Sequence, residues 1–385
     1  MNNDKVSSKE DDVSIKNEEK PIKNAKVLTL TYLTPVSFAS LNGSDKEADN
    51  MSNIKKITIG KDQFPYISAQ AKRRAIRDQL GVLGEKLSEG VETTIAKGAA
   101  STLRRPEEYI DDDLFGYMGT EEASANAKGR SITRTSVVRT TPLLALSRYE
   151  GDLDFGTNFM SVKTGGDPNI FETEIHSGLY RGTDLIELDR IGKGDGFEKE
   201  LDNKEKARRV KILLVAIKNL WLSGRQTRFL ADVSPKFVVA AMLKTKNPIF
   251  LESVLAEGTI INNDILEETI KDFKNEIISC TIGIRQGMFT IGTQDGKIVD
   301  NTTQDGKIVD NTTQDGKIVD NATQDGKIVD NATQDGKIVD NATQDGKIVE
   351  NCGQDNKPVG YVLQNCKTVG DAFEEMAKWI DDYYT

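Results

Sequence analysis

Between Thr293 and Cys352 the chain repeats one ten-residue unit, Thr-Gln-Asp-Gly-Lys-Ile-Val-Asp-Asn-(Thr/Ala/Cys), six times in succession, and a decayed copy starts at Gly353. Each unit brings only Ile and Val as large apolar side chains. That is too little to offset backbone ordering at about 1–2 kcal/mol per residue. A core must therefore come from what precedes and follows the repeats. Asp-Gly favours a tight turn, so fleeting hairpins fit the unit. The near-identity of the copies reads as tandem duplication inside a tolerant surface loop. The expected organisation is a disordered tail over 1–24, a folded body over 25–292, a flexible repeat insertion over 293–352 and a C-terminal segment with a helix over 353–385.

A net charge of −10 argues against a polyanionic partner until that charge is located. The tail carries −1, the repeats −6 and residues 353–385 a further −3, so the body is neutral. Its positive residues cluster along helix 68–77, at Arg104-Arg105, over Lys128 to Arg139 and over Lys204 to Lys211. A neutral body with basic stripes is compatible with RNA. Three scattered cysteines, Cys280, Cys352 and Cys366, point to a reducing compartment without a disulfide framework. No positive-apolar-small secretion pattern opens the chain and no apolar run is long enough to span a bilayer. The expectation is a cytoplasmic protein without a membrane partner. One histidine, His176, removes most hydrolase and zinc chemistries, and no cofactor is expected.

The stretch from Tyr66 to Leu80 sorts into two faces when read as a helix. Ala71, Ala75, Ile76, Leu80 and Leu83 fall on one apolar side. Gln70, Arg73, Arg74 and Arg77 share a sector roughly 100° wide opposite it. Lys72 lands beside the apolar side, where its stem can pack while the ammonium reaches water. Ser68 reads as the N-cap, so first-turn amides point the same way as the Gln70 amide. Guanidiniums beside a helix N-terminus suit a phosphate backbone.

Around this helix the chain alternates. Lys26–Tyr32 reads as a strand with one buried face, 41–53 as a polar loop, and Lys55–Ile59 as a short strand ended by Phe64-Pro65. A second, lid-like helix is expected over 83–98. Ser131–Leu146 reads as one or two strands, and Phe171–Ile191 as a strand broken at Gly182. Lys204–Leu222 has helical periodicity, Pro235–Leu243 and Ile277–Ile291 supply strands, and Val369–Tyr384 forms a last helix. The class expected is α+β around an antiparallel sheet.

Several motifs look chemical. Asn301-Thr-Thr303 and its copies match a glycosylation acceptor, which is meaningless without secretion. The acidic repeat lacks the alternating oxygen ligands and twelfth-position Glu of a calcium loop. Gly192-Lys-Gly-Asp-Gly196 lacks Walker and dinucleotide spacing and reads as a plain loop. Asp111-Asp112-Asp113 could hold Mg²⁺ for phosphodiester cleavage, although successive residues cannot all face one point, and the acids can equally cap or pair with basic stretches.

Taken in order, Ile67-Ser-Ala-Gln-Ala-Lys-Arg-Arg-Ala-Ile-Arg77, Asp113-Leu-Phe-Gly-Tyr117, Arg134-Thr-Ser-Val-Val-Arg139, Asp154-Phe-Gly-Thr-Asn158, Glu174-Ile-His-Ser-Gly-Leu-Tyr-Arg181 and Ser234-Pro-Lys-Phe237 resemble the DevR-type CRISPR-associated autoregulator family. This is the repeated backbone subunit of type I-B Cascade complexes. The resemblance covers about 25–292 and resumes near 361–385. It implies an RRM-like, ferredoxin-type antiparallel sheet with helices on one face and finger- and thumb-like insertions. It also implies copies stacked head to tail along one CRISPR RNA, with other Cascade subunits and with target DNA reached through the guide. On that footing Ser68, Gln70, Lys72, Arg73, Arg74 and Arg77 hold the RNA backbone, Arg130, Arg134 and Arg139 assist, and Arg225 and Arg228 are further candidates. The role implied is non-catalytic. The repeats are not something the family requires, and the rival reading is a metal-dependent ribonuclease using the 111–113 acids, as related subunits of other CRISPR types cut RNA with an aspartate.

Overall fold

The structure is a computed structural model that describes residues 22–41, 43, 51–88, 102–120, 131–222, 229–292 and 366–385, with short backbone segments of the repeats between 298 and 342. The principal strands in chain order are β1 (Val27–Ala39), β2 (Lys56–Ile59), β3 (Asp62–Ile67), β4 (Val138–Thr140), β5 (Leu143–Ala145), β6 (Asp152–Asn158), β7 (Asn169–Glu187), β8 (Phe237–Leu243) and β9 (Ile277–Ile284). The helices used below are α1 (Ala69–Val82), α2 (Ile110–Phe115), α3 (Asn203–Lys218), α4 (Asn263–Asp272) and α5 (Val369–Tyr384).

Strand β7, nineteen residues long, organises an eleven-stranded sheet. One path through that sheet runs from Cys366–Lys367 through β9, β8, β1, β7, β5 and β3 to β2. β1 pairs antiparallel with β7 from Val27↔Glu187 to Val36↔Gly178, and with β8 from Val27↔Leu243 to Leu33↔Phe237. Cys366–Lys367 and Met51–Ser52 add in parallel, so the sheet is mixed. The α+β class expected from the pattern is the one found.

Both faces of the sheet are covered. Leu28, Leu30, Tyr32, Tyr180 and Ile186 pack with residues of α1, α2, α3 and α5 on one side. Val27, Leu33, Leu185, Val239 and Ala241 pack with Phe250, Val254 and Leu266 of α4 on the other. Helices confined to one face, as the resemblance implied, are therefore corrected: α4 lies on the second face. The same covering corrects β1, read as a strand with one buried face. Its threonines are buried as well, with Thr31 Oγ1 2.8 Å from Thr183 Oγ1 and Thr29 Oγ1 donating to Asp184 O at 3.4 Å. A Val-Leu-Thr-Leu-Thr-Tyr run looks half-polar to a period-two reading, yet a threonine satisfied by a neighbour tolerates burial.

Other expectations shift for identifiable reasons. Phe64-Pro65 lies inside β3 rather than ending a strand. Strand β7 does not break at Gly182; a Cβ there would stand 2.2 Å from Leu143 Cδ2, so glycine lets β5 and Tyr32 close on the strand. The second helix over 83–98 is absent over 83–88, because α1 terminates with Gly84 at φ +88° and Glu85 N donating to Leu80 O at 3.0 Å. Residues 89–98 lie outside the described residues. In the loop expected over 41–53, Met51–Ser52 pairs with β7. Trp221-Leu222, expected to continue α3, forms a two-residue strand against Ala231–Asp232. Helix α5 matches its expected span, and Tyr384 hydroxyl donates to Leu188 O at 2.7 Å.

The repeats, expected to be flexible, pair as an antiparallel meander over Thr312–Gln314, Lys317–Gln324, Lys327–Gln334 and Lys337–Ala342. Gln314↔Lys317, Gln324↔Lys327 and Gln334↔Lys337 bracket Asp-Gly each time. The step from Lys317 to Lys327 to Lys337 equals the ten-residue period, so the same residue pairs recur from one of these strands to the next.

Candidate nucleic-acid interface

Ile67 pairs with Leu143, and the chain then enters α1 at Ser68. Ser68 is extended (φ −61°, ψ 151°), and its Oγ accepts from Ala71 N at 3.2 Å. The expected cap is thus in place, and the amides of the first turn have no acceptor within the helix. Ala75, Ile76 and Leu80 are buried on the sheet side. Gln70 and Arg74 are exposed and Arg73 is half-buried. Arg74 pairs with Asp78 at 2.8 Å, one turn on, with 58% of its side chain exposed. A pair that open is screened and readily exchanged.

Lys72 is a correction. Expected with its ammonium in water, it turns inward and is fully buried, 2.9 Å from Asp184 Oδ1. Its Nζ donates to Thr183 O at 3.4 Å and lies 4.9 Å from the centre of the Tyr32 ring. The missing side chain of Gly182 makes the space: a Cβ there would sit 3.3 Å from Lys72 Nζ. Burial pushes the Lys72 ammonium down and Asp184 opposes that shift. This lysine pins α1 to β7 and presents nothing to a ligand.

Arg77 is half-buried. Its Nε lies 3.6 Å from Asp111 Oδ2 and its guanidinium 4.6 Å from the centre of the Phe115 ring. It joins α1 to the acidic turn of α2, whose three aspartates are all buried. Asp111 accepts from Ser88 N at 2.9 Å, and burial raises its carboxyl above the usual range. Asp112 accepts from Arg105 N at 2.9 Å. Asp113 takes Arg134 on Oδ1, Arg209 on Oδ2 at 2.8 Å, and the Gly192 amide at 3.1 Å. Asp113 has both oxygens engaged, whereas Asp111 Oδ2 and Asp112 Oδ1 are buried without a hydrogen-bond partner among the described residues. Among the described residues no group of acids is gathered to hold a metal ion, so the ribonuclease reading rests on the sequence run alone.

Arg134 is also corrected as a surface contact. Its side chain is 1% exposed and donates to Asp113 O at 3.1 Å, Lys193 O at 2.9 Å, Asp195 O at 3.0 Å and Arg190 O at 3.2 Å. The glycine-rich 192–196 stretch, with Gly192, Gly194 and Gly196 all at positive φ, turns its carbonyls onto an internal guanidinium. Gly116 permits the approach, since a Cβ there would stand 2.0 Å from Arg134 O.

Arg139, on β4, stays 61% exposed while pairing with Glu187. Arg130, Arg225 and Arg228 lie outside the described residues. The structure therefore brings together Ser68, Gln70, Arg73, Arg74 and part of Arg77, and separates Lys72 and Arg134 from them. Sequence reasoning missed Asp184, Glu187 and Lys246. Asp184 and Glu187 stand three residues apart at the end of β7, and Lys246 lies in the segment after β8, so no local pattern joins them. The outer side of α1 carries Gln70, Arg73 and Arg74, with Asp78 paired to Arg74.

A family model described as CRISPR-associated negative auto-regulator DevR/Csa2 matches residues 33–264. A relative from Myxococcus xanthus (strain DK1622), named CRISPR-associated protein Cas7/Cst2/DevR, is 25% identical over 233 residues, covering 57% of this chain and 73% of the relative. Among solved structures, a chain of a CRISPR RNA-guided surveillance complex in a pre-nicking state is similar at 12% identity and a TM-score of 0.46, covering 70% of this chain and 96% of that one. A second chain, from a CRISPR RNA-guided surveillance complex, is similar at 15% identity and a TM-score of 0.44, covering 67% and 87%.

Proposed function

Because the chain belongs to the DevR/Csa2 family of CRISPR-associated proteins, we propose that it is a non-catalytic, guide-RNA-binding backbone subunit of a cytoplasmic type I-B Cascade complex. The single observation supporting this most is the Ser68-capped start of α1 with Gln70, Arg73 and Arg74 on its outer side. Donors of this kind grip phosphates and ribose hydroxyls of any guide and leave base edges free to pair with invading DNA. In this reading the sheet is the RRM-like palm, 25–292 is the folded body, and the repeats are a passive insertion. Copies stack head to tail through a heterologous interface that extends without closing, alongside other Cascade subunits. The occupation of both Asp113 oxygens by Arg134, Arg209 and the Gly192 amide supports a holding role for that acid over a cutting one.

Salt dependence tests the contact surface. Each phosphate contact to single-stranded RNA contributes about 0.7 to the slope of log affinity against log salt. Arg73→Ala with Arg74→Ala should therefore flatten the slope by about 1.4, measured by filter binding across a salt series. An unchanged slope overturns the assignment of α1.

A further inference from the structure

On the sheet face opposite α1, β4 and the segment leaving β8 flank β7 and leave a cleft of about 320 Å³. It is lined by Arg139, Thr140, Thr141, Thr183, Glu187 and Lys246. Its floor is the β7 row Thr183, Leu185 and Glu187, the two polar members each 2% exposed, with Pro248 at its side. Glu187 receives Arg139 Nε on Oε1 at 2.7 Å, with Lys246 at 2.8 Å and Arg190 at 3.2 Å on Oε2. Lys246 also reaches Asp189 at 2.9 Å. Burial raises the Glu187 carboxyl, and the bonds from Lys246, Arg190 and Arg139 outweigh it, holding the group below its usual range.

Three cations thus share two carboxylates, and the two at the mouth are the accessible ones: Arg139 is 61% and Lys246 37% exposed. Arg139 turns its Nε and Nη2 edge to Glu187 and so engages one edge of its guanidinium. Thr140 adds a hydroxyl that donates to Thr141 O at a long 3.4 Å. The two oxygens of Glu187 occupy the donors that two oxygens of an incoming oxyanion would take. We propose that this cleft is a phosphate-binding subsite in which Arg139 and Lys246 are the ligand-holding cations and Glu187 is their internal counter-ion. The phosphate belongs either to the RNA backbone, which would extend the α1 surface proposed above, or to a free nucleotide.

The sign of one substitution is diagnostic. Glu187→Gln removes the competing charge and puts an amide where an anion repelled the ligand, so phosphate affinity should rise about fivefold. Arg139→Ala and Lys246→Ala should each lower it about fivefold, the scale of a lost charge-assisted hydrogen bond. The full chain is titrated with adenosine monophosphate and, separately, with a short oligouridylate. Circular dichroism verifies the fold of each variant, and Lys246→Ala serves if Glu187→Gln does not fold. Repeating both titrations in the Arg73→Ala, Arg74→Ala background separates this cleft from α1. Loss of oligouridylate affinity with no monophosphate binding assigns the phosphate to the polymer. Monophosphate binding that follows the three variants, with RNA unaffected, assigns it to a nucleotide even if the chain does not bind guide RNA. Failure of both probes to respond to Arg139→Ala and Lys246→Ala overturns the subsite, as does a weakened affinity in folded Glu187→Gln.

Discussion

His176 and Lys72 show how far a single side chain's role depends on its neighbours. His176 Nδ1 lies 2.8 Å from the Tyr180 hydroxyl, and the ring stacks on Tyr149 with 5.9 Å between centroids. Lys56, paired with Glu174, sits over the other aromatic partner, 4.2 Å from the Tyr149 ring centre. Burial lowers the His176 imidazole below its ordinary 6.5. Protons therefore bind the unfolded chain first as pH falls below about 6.5. Stability from this group is complete above that value and is lost on acidification towards the lower folded value. With one proton involved, the slope is at most about 1.4 kcal/mol per pH unit. Urea unfolding between pH 5 and 7 should show this component in the native chain and lack it in His176→Gln. Equal slopes in the two proteins would reject a buried neutral imidazole. Lys72 and Arg73 make the complementary point: one helical step, about 100°, separates a cation locked under α1 from one only half-buried.

At the scale of elements, α2 is held less by its own six residues than by what its aspartates receive. Arg134 arrives from the strand Ser131–Arg134, Arg209 from α3, and the Gly192 amide from the loop after β7. Three remote pieces of chain meet on one carboxylate. Asp113→Ala would leave the buried Arg134 guanidinium without a carboxylate and Arg209 with Glu205 alone, so it should destabilise the protein by about 3–5 kcal/mol, read from the denaturant midpoint. A change under about 1 kcal/mol would remove Asp113 as the junction. Arg209, counted in the basic cluster Lys204 to Lys211, is buried. It also donates to Pro106 O at 2.7 Å and Glu107 O at 2.8 Å. Helical periodicity places the residue on α3 correctly and says nothing of the turn that caps it.

For the whole molecule, the repeats and the body are separable by their cores. The body buries apolar residues on both sheet faces, whereas the unit offers only Ile and Val. Ile298–Val299 of the first unit does pair with Ile291–Gly292, so a clean excision must spare it. Deleting four whole units, 303–342, keeps the ten-residue phase. It should move the melting temperature by no more than about 2 °C and leave RNA affinity unchanged, by thermal melting and filter binding. A larger drop in either would make the repeats part of the working structure. Among the described residues no helix is long and apolar enough to cross a membrane.

The chain's own order of residues sufficed for most elements and for the start of α1, because caps and hydrophobic periods act within a few turns. Ser68, Ala75, Ile76 and Leu80 specify a helix wherever it docks, and Thr368 to Tyr384 specify another. Which cations would remain available was decided only by tertiary contacts. Lys72 meets Asp184, Arg134 and Arg209 meet Asp113, and Arg139 and Lys246 meet Glu187. Each pair joins residues 21 to 112 positions apart. A local period carries no information across that distance, and a buried arginine is spelled the same way as an exposed one.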